Sequence, residues 1–485
     1  MKMHRKAPPS SAGVSIDEPT DVDTPSAGRT SNVRHGLPPG PRLPRTLQTL
    51  RWLLDAPRFM DECREDFGPL FTLDLHPLAV SGPGSGGDPN TRVFASDPEH
   101  IKRIFSADPS AVLTGATNGF LLGIVGPESI LVLDEPKHME ERKRLLPAFV
   151  GERVLRYESL IRDVTLREIE RWSSGNAFPI WPRMQAITLE VIVRAVFGFS
   201  EPAEVSRFQD LMASLLNATT SPGYQVRQGI VAALRRRTGR APGDARSSHK
   251  LIRRVDEALR AAIAHRRSSP DVNGRSDILS ALISTRDGEG SMLGDEQLRD
   301  ELITLLIAGH ESTATMLAWA FEQLLRHPEK LACLREEAAA GGHAYADAVV
   351  KETLRLRPVL PFVLRELASP LELGGYELPA GTWLAPCAYL VHRDPGLYPA
   401  PLEFRPERFL EKPAGVCSWT PFGGGIRRCV GAAFAHLEMR VVLQTVLARV
   451  DLRVQHVAPE RIRLRFITLA PAHGGRVMIA TRAQF

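Results

Sequence analysis

Ten residues near the C-terminus, Phe422-Gly423-Gly424-Gly425-Ile426-Arg427-Arg428-Cys429-Val430-Gly431, constrain this chain more than any other segment. They present one cysteine on a glycine-rich loop beside an arginine, in the pattern FxxGxRxCxG. A thiolate that points at a metal needs a backbone able to come close, which glycines permit because they lack Cβ and reach positive φ. Gly423, Gly424, Gly425 and Gly431 supply that freedom. The competing reading is a glycine turn beside a buried free cysteine.

Three further segments decide between the two. Lys351-Glu352-Thr353-Leu354-Arg355 contains ExxR, Phe404-Arg405-Pro406-Glu407-Arg408-Phe409 contains PERF, and Ala308-Gly309-His310-Glu311-Ser312-Thr313 pairs an acid with alcohols. Together the four segments resemble the cytochrome P-450 family, in its order and at its usual separations. The resemblance implies a mainly α fold with minor β, a large helical bundle with small sheets, from about residue 36 onward. Haem would lie between a long central helix and the cysteine loop. It further implies haem b with Cys429 as axial iron ligand, Phe422 and Gly423 around the sulfur, and Arg427 on a haem propionate.

Composition bounds the answer independently. A chain of 485 residues, 43% of them hydrophobic, can bury a large core. No segment approaches the roughly 18 consecutive apolar residues of a membrane span, and the N-terminus lacks the apolar core of a signal peptide. The expectation is a soluble, cytoplasmic protein without a transmembrane anchor. Five scattered cysteines, an odd number, argue against a disulfide framework. The net charge of +5 suits an acidic protein partner and is too diffuse for nucleic acid.

Residues 1–35 are rich in Pro, Ser, Thr, Gly and Asp and are expected to form a disordered tail. Residues 36–485 are expected to form a single haem-thiolate monooxygenase domain. Gly82, Gly84 and Gly87 spell GxGxxG, yet Asp88-Pro89-Asn90 continues a turn where a dinucleotide motif must open a helix. A hairpin loop is expected there.

Apolar spacing of three and four residues predicts helices over 153–174, 184–198, 205–217, 250–267 and 432–449. Strands are expected at 69–75, 92–96, 371–373, 382–385 and 462–469. The longest helix opens after Gly294 with Asp295 and Glu296, acids well placed against the dipole, and runs to about His327 before Pro328. Gly309 in its middle costs about 1 kcal/mol relative to Ala, and Glu311 with its neighbouring hydroxyls is costly to bury without partners. Local stability has been given up there.

In the family, the acid and alcohol beside Ala308 and Gly309 stand over the distal face of haem and relay protons during oxygen activation. Glu311, Ser312 and Thr313 are therefore the expected catalytic groups, with Ser312 where the family usually has Thr. A serine offers the same donor and acceptor capacity without the methyl that restricts its rotamer. Glu352, Arg355 and Arg408 would form the family's buried structural triad, a carboxylate between two guanidiniums. His138 and Arg142, four residues apart on a predicted helix, and Arg365 match the family's propionate contacts. His392 reads as a structural turn histidine.

The substrate pocket is expected from Ser110 to Gly123, at Ile307 and Ala308, at Leu360 to Val363 including Phe362, and from Ile467 and Thr468 to Leu469. These stretches are largely apolar, so a lipophilic substrate is expected: a fatty acid, a terpenoid or a polyketide-like metabolite. Arg235, Arg236, Arg237 and Arg240 could attract a carboxylate or touch a membrane, and read first as a solvated helix face. No flavin or nicotinamide motif is visible. Electrons would come from a ferredoxin or flavodoxin-like donor with its reductase, NAD(P)H acting only indirectly, and Lys137, Arg142, Lys143, Arg144, Lys412 and Arg428 would form the docking face. The expected activity is insertion of one atom of O2 into the substrate. The alternatives are a peroxide-driven or isomerising enzyme, or a haem-based sensor without turnover.

Overall fold

The computed structural model describes residues 34–76, 88–173, 175–220, 246–286, 290–456, 458–465 and 467–482. The glycine loop with Gly82, Gly84 and Gly87, the arginine stretch 235–240 and all but the last two residues of the expected tail lie outside them. Those last two residues, Arg34 and His35, form a short strand β1 parallel to Tyr376 and Glu377.

Helices dominate, in the order α1 (Arg45–Phe67), α2 (Pro98–Phe105), α3 (Lys137–Leu145), α4 (Glu158–Glu170), α5 (Trp181–Phe197), α6 (Pro202–Thr220), α7 (Arg246–Ser268), α8 (Ile278–Ser284), α9 (Asp295–Arg326), α10 (Pro328–Ala339), α11 (Ala344–Leu356) and α12 (Ala432–Arg449). The periodicity places α12 at its observed bounds and α5 to α7 within a few residues. The single helix expected over 153–174 is instead a short turn, Glu152–Leu155, followed by α4. At the break Tyr157 turns edge-on to Phe434, with ring centroids 5.4 Å apart, a long-range contact that local spacing does not encode.

The central helix α9 is 32 residues long. Gly294 donates its backbone N–H to Gln297 Oε1 at 3.0 Å at the start, and Arg326 complements the dipole at the end. Its apolar face is buried against α5 over much of its length, and α12 packs on another side.

Strands gather at the edges of the bundle. β2 (Leu70–Asp74), β3 (Thr91–Ala95), β9 (Trp383–Pro386), β6 (Arg365–Leu367) and β4 (Val112–Leu113) form one five-stranded sheet in that spatial order. Phe71 pairs in register with Phe94 across β2 and β3, their rings stacked at 5.4 Å. The expected strand over 462–469 is a hairpin, β11 (Ile462–Arg465) and β12 (Thr468–Pro471), antiparallel and, among the described residues, without a third strand. Among the described residues no helix is long and apolar enough to cross a membrane.

Candidate active site

The cysteine loop is a tight turn: Cys429 N–H donates to Phe422 O at 2.9 Å and Arg428 N–H to Gly425 O at 3.1 Å. Gly423 and Gly425 adopt φ of +67° and +63°, where a side chain is strained. A Cβ on Gly424 would fall 2.2 Å from the Phe105 ring, and one on Gly425 2.3 Å from Phe105 O. Two of the four glycines are therefore demanded by α2, whose last residue is Phe105, as well as by any metal. Gly431 has an ordinary φ of −82°, and no protein atom lies within 4 Å of where its Cβ would be.

The Cys429 thiol faces an open side of the loop yet lies deep among protein atoms, and burial pushes it up, opposed by the Gly431 N–H and by Arg428 and Arg142. Arg142 Nη1 donates to Arg428 O at 2.7 Å, which joins α3 to the loop backbone. Its guanidinium is thus partly committed to the loop rather than free for a propionate.

Arg365, at the start of β6, is 5% exposed and hydrogen-bonds Leu364 O at 2.7 Å, with its guanidinium 5.8 Å from the Phe105 ring. No carboxylate pairs with it among the described residues. Burial, then the charge of Arg427, lowers it to about 9. Arg427 itself donates to Asp134 Oδ1 at 3.0 Å and to Ile130 O at 3.4 Å. Asp134 already accepts from the backbone N–H groups of Thr114, Gly115 and Ala116.

His138 pairs through Nδ1 with Glu135 Oε1 at 2.6 Å. Burial, then Arg427, lowers it to about 4. The Glu135 carboxylate opposes that shift, as a propionate placed beside the ring would. Asp134 and Glu135 both lie near Arg427, whereas Arg365, fully enclosed, makes no ion pair among the described residues and is the guanidinium left for a further carboxylate. The residues fit a group that brings two carboxylates and an iron able to take the Cys429 thiolate, as haem b would.

The middle of α9 breaks the burial of an otherwise enclosed helix. Ala308 is exposed and Ser312, one turn on, is half-buried, whereas Thr313 is only 2% exposed. Ser312 Oγ donates to Ala308 O at 2.8 Å, and Thr313 Oγ1 to Gly309 O at 3.2 Å. A Cβ on Gly309 would meet Ile192 Cδ1 of α5 at 3.0 Å. The two adjacent alcohols therefore face different surroundings, and Ser312 is the one on the open side.

Glu311 is 17% exposed. Its Oε2 accepts from Gln185 Nε2 at 2.7 Å, and Oε1 lies 3.5 Å from Arg465 Nη1 on β11. Arg465 sits over the Trp181 ring at 4.4 Å, and the Trp181 indole N–H donates to Thr315 Oγ1 at 3.1 Å. Burial raises Glu311, opposed by Arg465 and then Gln185. Sequence reasoning missed Gln185, Arg465 and Trp181. The faint signals were a glutamine inside an apolar helical segment and an arginine where β11 meets its turn.

Glu128, Ile130 and Ser129 tie the central helix to this region. Glu128 N–H donates to Asp300 Oδ2, Ile130 N–H to Glu301 Oε1, and Ser129 Oγ lies 2.6 Å from Thr304 Oγ1. The same loop carries Ile130 O and Asp134 to Arg427.

The structure brings Glu352, Arg355 and Arg408 together. Arg355 holds both Glu352 oxygens, at 2.7 and 2.8 Å, and Arg408 Nε reaches Oε1 at 3.1 Å. Arg355 also donates to the carbonyls of His392, Pro401 and Glu403. His392 Nε2 accepts the Thr420 N–H at 2.8 Å, so this histidine joins the triad to the start of the cysteine loop.

The expected pocket residues divide. Ile307, Val363, Ile467 and Thr468 are half-buried. Phe362 is half-buried too, and its ring packs edge-on to Trp52 and Phe94 at 5.7 and 5.2 Å. Leu469 is fully buried in the same core and accepts the Trp319 indole N–H at 2.9 Å. Burial inside an apolar cluster and burial against a ligand have the same sequence signature.

A family model described as cytochrome P450 matches residues 38–475. The chain is 40% identical over 457 residues to the putative cytochrome P450 135B1 of Mycobacterium bovis, with 92% of each chain covered. It is 36% identical over 452 residues to the putative cytochrome P450 137 of Mycobacterium tuberculosis, with 91% of each covered. A solved retinoic acid-bound cyanobacterial CYP120A1 superposes with a TM-score of 0.75 at 21% identity, over 93% of this chain and 100% of that one. The haem domain of cytochrome P450DA gives 0.76 at 21% identity, over 93% and 99%. These two likenesses show the fold.

Proposed function

This chain belongs to the cytochrome P450 family, whose members are haem-thiolate monooxygenases, and on that premise we propose that it inserts one oxygen atom from O2 into a lipophilic small molecule with electrons from a separate donor. The observation that carries the reading is the break in burial at Ala308 and Ser312, with Glu311 beside it, in a helix otherwise enclosed by protein.

Haem held by Cys429 would supply the oxygen-activating chemistry. The chain's own residues supply the rest. Arg365 and Arg427 would neutralise the propionates, with His138 as a further partner. Ser312 Oγ, now donating to Ala308 O, turns on one χ angle to hold or pass a proton on the open side. Glu311 resupplies it, its carboxyl raised by burial toward the range in which proton transfer is useful. Thr313 is occupied within the helix and buried. Glu352, Arg355 and Arg408 hold the approach to the cysteine loop. Ile307, Val363, Ile467 and Thr468 set an apolar surface, which favours a fatty acid, terpenoid or polyketide-like substrate.

An acidic ferredoxin or flavodoxin-like donor suits the exposed Lys137, Lys143 and Arg428, on and beside the helix that Arg142 fastens to the cysteine loop. Arg144 is less available, since Glu141 pairs with it at 3.1 Å.

The test begins with the carbon monoxide difference spectrum of the reduced holoprotein, whose red-shifted Soret band should vanish in Cys429→Ala. Compounds that shift the spin state are then turned over under ¹⁸O2 with a surrogate donor. One labelled oxygen per product supports the reading. Unlabelled product formed with peroxide alone would favour the peroxide-driven alternative.

A further inference from the structure

The first part of α1 is amphipathic the wrong way round. Its buried side is made of Gln48, Thr49 and Trp52, and the two polar residues find their partners there. Gln48 Nε2 donates to Leu43 O at 2.9 Å and its Oε1 accepts the Asp74 N–H at 3.0 Å. Thr49 Oγ1 donates to Arg45 O at 2.9 Å and accepts the His76 N–H at 2.8 Å. The solvent side carries the leucines: Leu43, Leu47, Leu50, Leu53 and Leu54 are between 36% and 76% exposed. Leu47, Leu50 and Leu54 recur at three and four residues and share one helix face, opposite Gln48 and Trp52. Leu43 continues the stripe just before the helix. The stripe ends at Asp55, where φ of −157° and ψ of 79° interrupt the helix ahead of Pro57, and the Asp55 carboxylate accepts the Arg58 N–H at 3.2 Å. Single exposed leucines are ordinary, whereas a contiguous stripe marks a surface that something covers.

The order of the stripe says what covers it. Leu47 and Leu50 stand equally far along the chain from the midpoint between Gln48 and Thr49; so do Leu43 and Leu54, and so do Arg42 and Asp55. A second copy laid antiparallel therefore sets leucine against leucine and brings the end with Arg42 to the end with Asp55. We propose that residues 42–55 form a two-fold interface between copies of this chain, packed antiparallel through the leucine stripe. A two-fold contact requires this self-complementary order, and a lipid surface does not. Arg51 and Arg58, the cations that anionic lipid would recruit, both pair with Glu62 already. Two stripes about 15 Å long supply the apolar centre of an interface of roughly 800 Å² per copy. Trp52, beneath the stripe, belongs to the core cluster that holds Leu469 and borders Phe362, so the contact backs onto the β11–β12 side of the molecule.

The test is sedimentation velocity of the full-length holoprotein over a wide range of concentration. Wild type should pass from monomer to dimer as concentration rises. Leu50→Glu and Leu54→Glu change exposed side chains and should keep haem content, yet raise the dimer dissociation constant at least about a hundredfold, because a two-fold interface loses each side chain twice. Arg42→Asp and Asp55→Arg should each weaken the dimer about three- to tenfold, and the double swap should restore it. Asp55→Asn keeps an acceptor for the Arg58 N–H and separates the charge from the cap. Hydrogen–deuterium exchange over residues 43–54 should slow with concentration in wild type and not in Leu50→Glu. A wild type that stays monomeric throughout, or a dimer indifferent to Leu50→Glu, would overturn the proposal. Protection of 43–54 that ignores concentration would assign the face to another segment of the same chain, and monomer binding to phosphatidylglycerol vesicles that Leu50→Glu abolishes would assign it to lipid; either result also overturns it. A double swap that fails to dimerise would overturn the antiparallel order.

Discussion

Glu352 and Glu311 are both glutamates on helices of the bundle, each facing at least one arginine, and they differ in what else surrounds them. Glu352 is fully buried and receives Arg355 twice, Arg408 once and the Arg405 backbone N–H. Arg355 and Arg408 in turn satisfy a ring of carbonyls between His392 and Glu403. Glu311 keeps 17% exposure, one short hydrogen bond and one long ion pair. A carboxylate saturated in a dry site fixes backbone, whereas one left partly wet and under-coordinated can change protonation and partner. The difference separates a carboxylate locked into the scaffold from one left able to change its protonation.

The largest effect expected on this contrast is at Glu352. Glu352→Ala leaves two buried guanidiniums uncompensated and should cost about 3–5 kcal/mol, seen as loss of soluble haem-loaded protein. Glu311→Gln should keep haem content and thermal midpoint close to wild type. A well-loaded, soluble Glu352→Ala would collapse the distinction.

Next comes the cysteine loop. Gly424→Ala forces a Cβ into the Phe105 ring and should cost about 1–3 kcal/mol, measured by thermal unfolding of the holoprotein. The scaffold side also predicts a pH dependence. His392 must be neutral to accept the Thr420 N–H, and burial lowers it to about 3 from the ordinary 6.5 of a histidine. The unfolded chain therefore binds the extra proton first, so this contribution to stability is present above pH 6.5 and is lost as pH falls toward 3. The thermal midpoint should fall more steeply between pH 6 and 4.5 in wild type than in His392→Gln, which cannot titrate.

On the working side, Ser312→Ala should raise peroxide released per reductant several-fold while Thr313→Ala does so much less. An equal effect of the two would mean that the burial difference between them carries no function. The smallest effect is expected at Gly309. Ala there gains about 1 kcal/mol of helix propensity and presses a Cβ to 3.0 Å from Ile192 Cδ1, so the change in stability should stay within about 1 kcal/mol.

Much of this contrast was legible in the chain. The triad could be named because its three residues sit in two short motifs, and the cysteine loop because glycines, arginine and cysteine lie within one turn. The bounds of α12 and of β7 (Leu371–Leu373) followed from spacing alone. The break at Tyr157 and the hairpin at 462–471 did not, since each depends on contacts with distant segments. Leu469 misled for a related reason: apolar residues of the core and of a ligand cavity are chemically alike, and packing alone assigns them.

By itself the sequence determined the family, the glycine-rich cysteine loop, the length of the central helix and the identity of its acid and alcohols. These rest on side-chain chemistry and on spacings of a few residues, which chain connectivity preserves. Only the tertiary structure decided that Ser312 faces open space while Thr313 is buried, because two neighbours on a helix point about 100° apart and the helix's surroundings choose between them. It alone also brought Gln185 across 126 residues to Glu311 and set Arg465 on the other oxygen. Neither partner has a local signature, because an ion pair between distant segments is a property of how the bundle and the hairpin meet.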